Sequence, residues 1–151
     1  MKMFVKTAAV YTILLAATAL SVHAQKVPAY KIMRIHITPF EQSTGKFEGE
    51  LGPNEDPSYL NALSKSLFVS IEVSGKAGTY ENRKVAITVT EGGKAKANRS
   101  ESLGIMNDEG KFYIPVFLYS SMCGQVSITA RILGQTPAAV LTRKLHFDCG
   151  E

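Results

Sequence analysis

From residue 30 onward, apolar side chains recur at every second position in one short run after another, and that period constrains the fold more than any other feature. Leu67, Val69, Ile71 and Val73 alternate with Phe68, Ser70, Glu72 and Ser74; Val85, Ile87 and Val89 with Ala86, Thr88 and Thr90; Val126, Ile128, Ala130 and Ile132 with Gln125, Ser127, Thr129 and Arg131. A period of two places one set of side chains on one face of an extended strand and the other set on the opposite face. Residues 30–38 follow the same rule, with Met33, Ile35 and Ile37 facing one way and Ile32, Arg34, His36 and Thr38 the other, before Pro39 is expected to end the strand.

The run over 112–119 is apolar on both faces: Phe112, Ile114, Val116 and Leu118 on one, Tyr113, Pro115, Phe117 and Tyr119 on the other. Either the strand is buried on both sides or Tyr113, Phe117 and Tyr119 form an exposed aromatic stripe. Pro115 lacks an amide donor, which predicts an edge strand or a bulge. Residues 94–106, basic at Lys94, Lys96 and Arg99, predict one weak edge strand on which lysines deter strand-to-strand aggregation. Six to seven strands with Gly-rich turns and almost no helix predict an all-β fold: a two-sheet antiparallel sandwich, immunoglobulin-like or transthyretin-like in pattern. The chain has no tryptophan, and its two cysteines flank neighbouring strands, so the pattern assigns no family.

Cys123 and Cys149 bracket the last two strands, and a C-terminal hairpin closed by their disulfide is the economical reading. In the second run, 140–149, Leu141, Leu145, Phe147 and Cys149 share a face that Arg143 interrupts. Matching apolar faces sets Ile132 opposite Leu141, Ile128 opposite Leu145 and Val126 opposite Phe147, with Gln135 to Ala138 at the tip. Cys149 then meets Gly124, not Cys123, and a bulge at Cys123 and Gly124 is expected to absorb the extra residue. Such a bridge would stabilise the chain by about 3 kcal/mol on loop-entropy grounds. There is no C-x-x-C, which argues for a structural over a redox role.

Residues 1–24 read as a signal peptide: Lys2 and Lys6 precede an apolar core over 8–20, and Val22 and Ala24 suit a cleavage site before Gln25. The expectation is a secreted or periplasmic protein of one domain over 25–151, with no membrane insertion after signal cleavage and no lipid anchor, since Gln25 stands where a lipidated cysteine would be needed. Without Lys2 and Lys6 the 17 basic side chains fall to 15 against 13 acidic ones, too even a balance for a nucleic-acid partner.

Catalytic chemistry finds little support. No G-x-S-x-G is present, and no glycine loop precedes a helix to hold phosphate. Asn107, Asp108 and Glu109 are too close together for a calcium loop, and Asn98-Arg99-Ser100 is a lone sequon. His36 and His146, the two histidines beyond residue 24, would with Asp148 give a three-ligand surface metal site, although ordinary strand residues explain them more simply. Residues 40–57 read as a long acidic loop carrying Glu41, Glu48, Glu50, Glu55 and Asp56, with a short helix over 56–64 capped by Asp56. The reading is a non-enzymatic, cofactor-free binding module whose surface combines Tyr113, Phe117 and Tyr119 with that loop, for a protein or glycan partner. The alternative is an envelope assembly subunit whose open sheet edge accepts another chain's strand; a small metal-binding protein comes third.

Overall fold

A computed structural model describes residues 30–55, 64–80, 82–119 and 122–148. Its strands are β1 (Lys31–Glu41), β2 (Lys46–Phe47), β3 (Lys65–Ser74), β4 (Lys84–Glu91), β5 (Lys94–Ser102), β6 (Lys111–Leu118), β7 (Gly124–Ile132) and β8 (Val140–Phe147). They pair antiparallel throughout as two four-stranded sheets, ordered β2-β1-β3-β6 and β5-β4-β7-β8. The fold is the expected all-β sandwich. The period-two residues face inward from both sheets: Ile35, Ile37, Val69, Ile71, Ile114 and Val116 meet Val85, Ile87, Val126, Ile128, Leu145 and Phe147, all essentially buried. Fully burying a side chain of this size contributes about 1.5–3 kcal/mol.

Several local expectations change. β1 runs past Pro39 to Glu41. The Pro39 carbonyl accepts from the Glu48 amide, so the imide nitrogen, which faces the same way in an extended residue, lies on the thinly covered β2 side and removes no bond to β3. A bulge between Ile32 and Arg34 leaves Met33 as the extra residue, exposed, while Ile32 packs on the core in its place. Residues 40–47 form a hairpin, with Phe40 opposite Phe47, and the segment beyond is tied down where the Leu51 amide donates to the Ile37 carbonyl. β5 is a nine-residue edge strand whose register with β4 slips by one residue at Lys96, and β6, with Pro115 at its middle, is also an edge.

The β7–β8 register is displaced by two residues from the expected one: Val126 lies opposite Leu145 and Ala130 opposite Leu141. A shift of two preserves both faces. The connection is longer than the expected four residues: the Ile132 amide still donates to the Ala139 carbonyl in the same register, and the Leu133 amide donates to Lys84 of β4. No bulge interrupts the register from Gly124 to Arg131; instead Gly124 takes a left-handed conformation (φ +73°) that favours glycine. Cys149, residues 1–24 and the helix expected over 56–64, apart from Ser64, lie outside the described residues. The described residues contain no free cysteine, and no helix among them is long and apolar enough to cross a membrane.

A polar clasp closes one end of the sandwich. The buried Gln135 amide accepts from the Tyr30 N–H (3.1 Å) and donates to the Tyr30 carbonyl (2.8 Å), holding the start of β1 against the β7–β8 connection. The Tyr30 ring lies against Gly75, where an added Cβ would come within 2.4 Å of it, so no larger residue fits there.

Candidate functional site

The outer face of the β2-β1-β3-β6 sheet is aromatic. Cross-strand pairing sets Phe40 opposite Phe47, Phe68 opposite Phe117 and Glu72 opposite Tyr113. Ring centroids form an unbroken chain from Phe68 to Phe47 (6.2 Å), Phe40 (5.0 Å), Phe117 (6.2 Å) and Tyr119 (6.3 Å). These are the tilted and edge-on geometries that aromatic rings prefer. Ser66, on the same outer face, is fully buried, and its hydroxyl accepts from Gln42 Nε2 (2.8 Å). The rings are nevertheless open to solvent: Phe47 is 60%, Phe68 37%, Tyr113 45%, Phe117 39% and Tyr119 75% exposed. Of the two readings for 112–119, the exposed stripe is the observed one. Phe40, Phe47 and Phe68 extend it in a way the residue pattern of one strand does not reveal, although Phe68, a ring at a polar-phase position, was a signal.

A charged network borders the rings. The His36 nitrogens lie 2.9 Å from Glu50 Oε1 and 3.0 Å from Glu72 Oε2, and the imidazole is 6.2 Å from the Tyr113 ring. Only the imidazolium has an N–H for each carboxylate at once. Arg34 bonds Glu50 at 2.7 Å and Lys111 approaches Glu72 at 3.4 Å. The His36 hydrogen bond, with Lys111 behind it, holds the Glu72 carboxyl below its ordinary range despite partial burial. Between this network and the rings lies a shallow trough of about 240 Å³, with Thr38 and Ser70 flanked by His36, Glu50, Phe68 and Tyr113.

A second cluster supports the aromatic hairpin from beneath. Lys65 is mostly buried and is held by Glu41 (2.9 Å) and Glu48. Burial pulls the Lys65 pKa down, but the two carboxylates outweigh it and raise it. Glu41 is lowered to about 2, chiefly by the Ser43 hydroxyl and then by Lys65.

The proposed metal ligands are not brought together. His36 lies on the outer face of one sheet and His146 on the outer face of the other, and no group of three metal-binding side chains occurs among the described residues. Of the described acidic residues at 40–57, Glu41 and Glu48 bind Lys65 and Glu50 binds Arg34 and His36, so among them only Glu50 reaches the aromatic face's trough. The chain matches no protein-family model and no curated protein.

Proposed function

We propose that this is an exported, non-enzymatic binding module that takes a glycan on the aromatic outer face of the β2-β1-β3-β6 sheet. The carrying observation is the chain of five rings spread over all four strands, four of them open to water and Phe40 half-buried among them. Scattered exposed apolar residues need no explanation, but a contiguous patch marks an interaction surface. Between the two partner classes, protein and glycan, the polar content of the face favours the glycan. The core of a protein interface is depleted in charge, whereas here His36, Glu50 and Glu72 sit beside Tyr113 and Phe68. Sugars present C–H faces that stack on rings and hydroxyls that need acceptors and donors, and the trough offers both. Export through the 1–24 signal, a secreted or periplasmic location and a Cys123–Cys149 bridge belong to the same reading.

The assembly alternative needs an edge that accepts a strand. β6 carries Pro115 and β5 carries Lys94 and Lys96, features that oppose strand addition at those edges and leave β8, eight residues without a proline, as the remaining long edge.

The test is affinity electrophoresis of the purified protein through gels containing soluble xylan, mixed-linkage β-glucan or glycol chitin. Retardation in at least one, lost in the Tyr113→Ala/Phe117→Ala double variant, is the expected result. Equal mobility in every gel, with the double variant instead changing the sedimentation of the free protein, would assign the face to protein contacts.

A further inference from the structure

A cavity of about 420 Å³ lies away from the rings, among the Met33 bulge of β1, residues 53–55 and β8. Its lining sets three cations, Arg34, Arg143 and Lys144, against one carboxylate, Glu55. Arg143, on the inward face of β8, is 9% exposed, and its guanidinium donates to two backbone carbonyls, of Gly52 (2.5 Å) and Glu55 (3.4 Å), with no carboxylate of the described residues in ion-pair contact. Arg34 lines the same cavity, and its Nε is buried without an acceptor. Buried polar atoms are satisfied in the great majority of cases, so such an orphan calls for a reason. Lys144 adds a third cation at the rim.

The nearby carboxylates are already engaged: Glu50 by Arg34 and His36, and Glu55 by the Gly52 amide, which donates to its Oε2 at 2.7 Å. Burial first and the neighbouring Arg34 charge second lower the Arg143 pKa, against the smaller opposing pull of the Glu55 and Glu50 carboxylates. The remaining lining is mixed: Met33, Ile35, Pro53 and Leu141 are apolar, Asn54 and Thr142 are polar, and Glu55 adds a carboxylate.

We infer that this cavity is a binding site for a small organic carboxylate, its anionic head among Arg34, Arg143 and Lys144 and its apolar body against Met33, Pro53 and Leu141. Charge-assisted hydrogen bonds from guanidinium to carboxylate are the strong ones. The site does not depend on the aromatic face.

Calorimetric titration of the purified protein with benzoate, benzyl alcohol and sulfate tests it. Benzoate binds, while benzyl alcohol, with the same body and no charge, and sulfate, with charge and no body, each bind at least tenfold more weakly. Lys144→Glu, an exposed change on the other sheet, and Arg34→Lys, which keeps the charge but removes the guanidinium, each weaken benzoate by about tenfold. Arg143 is left unchanged because its bonds to Gly52 and Glu55 hold the fold. No heat with benzoate, or a Kd unmoved by both variants, overturns the site; sulfate binding as tightly as benzoate overturns the organic ligand.

Discussion

The two sheets share an interior and differ outside. Inward, both are built from Val, Ile and Leu at alternate positions, buried to the same degree. Outward, the β5-β4-β7-β8 sheet carries Thr88, Thr90, Ser127, Thr129, Thr142, Lys144 and His146, and its best-defined contact is a hydroxyl pair, Thr129 to Thr142 at 2.9 Å. The β2-β1-β3-β6 sheet carries Phe40, Phe47, Phe68, Tyr113 and Phe117 in the equivalent layer. A sheet of this size in this sandwich therefore folds with a short polar outer layer. The opposite sheet folds without such rings, and their clustering on one side is what the functional proposal rests on.

The strongest way to break the comparison is to show that the inner layers are not equivalent. Ile71→Ala in β3 and Ile128→Ala in β7 each delete a fully buried side chain, so both should cost about 3 kcal/mol in urea unfolding. Phe117→Ala, taken from the outer ring chain, should cost about 1 kcal/mol. A loss from Phe117→Ala as large as that from Ile71→Ala would make the rings a second core and remove the argument for a surface set aside for a ligand.

How much of this difference could be read before folding depends on register. The inner layer was legible because Val69, Ile71, Val126 and Ile128 fall in strict alternation. The Tyr113, Phe117 and Tyr119 stripe was legible too, and its place on the outer face of the sheet, shared with Phe68 of the central strand β3, is what leaves it in water. Met33 was misassigned because its neighbours Ile32 and Ile35 are both apolar, so a one-residue bulge leaves no mark on composition. Phe40 and Phe47 were hidden in a segment without periodicity, since a two-residue strand is too short to show one. The contact of His36 with Glu50 and Glu72 arises only when β1, β3 and an irregular segment are brought side by side.

Acid titration sharpens the comparison with a smaller effect. Glu41 and Glu72, both on the aromatic sheet, have carboxyls held below their ordinary range, by Ser43 and Lys65 in one case and by His36 and Lys111 in the other. A carboxyl with a folded pKa below its unfolded one adds stability above the unfolded value and loses it as pH falls through the folded one. For Glu41 that window runs from 4.5 down to about 2. The opposite sheet has Glu91, lowered by Lys96 and by the Cys123 amide, which donates to it. The Glu41→Gln/Glu72→Gln double variant should therefore flatten the fall in urea midpoint between pH 5 and 3 more than Glu91→Gln does. An equal flattening would mean that acid sensitivity is spread across both sheets.

The smallest expected effect carries the sharpest contrast. Thr129→Ala/Thr142→Ala removes both members of an exposed hydroxyl pair, leaving no donor stranded, and replacing both partners of a hydrogen bond together is close to neutral. The urea midpoint should move by no more than about 0.5 kcal/mol equivalent. Retardation in a polysaccharide gel should be unchanged, whereas Tyr113→Ala/Phe117→Ala abolishes it at a stability cost of the same order as Phe117→Ala alone. If the threonine pair proved as important for retardation as the rings, binding would belong to the sandwich's general polar surface, and the aromatic face would lose its claim to it.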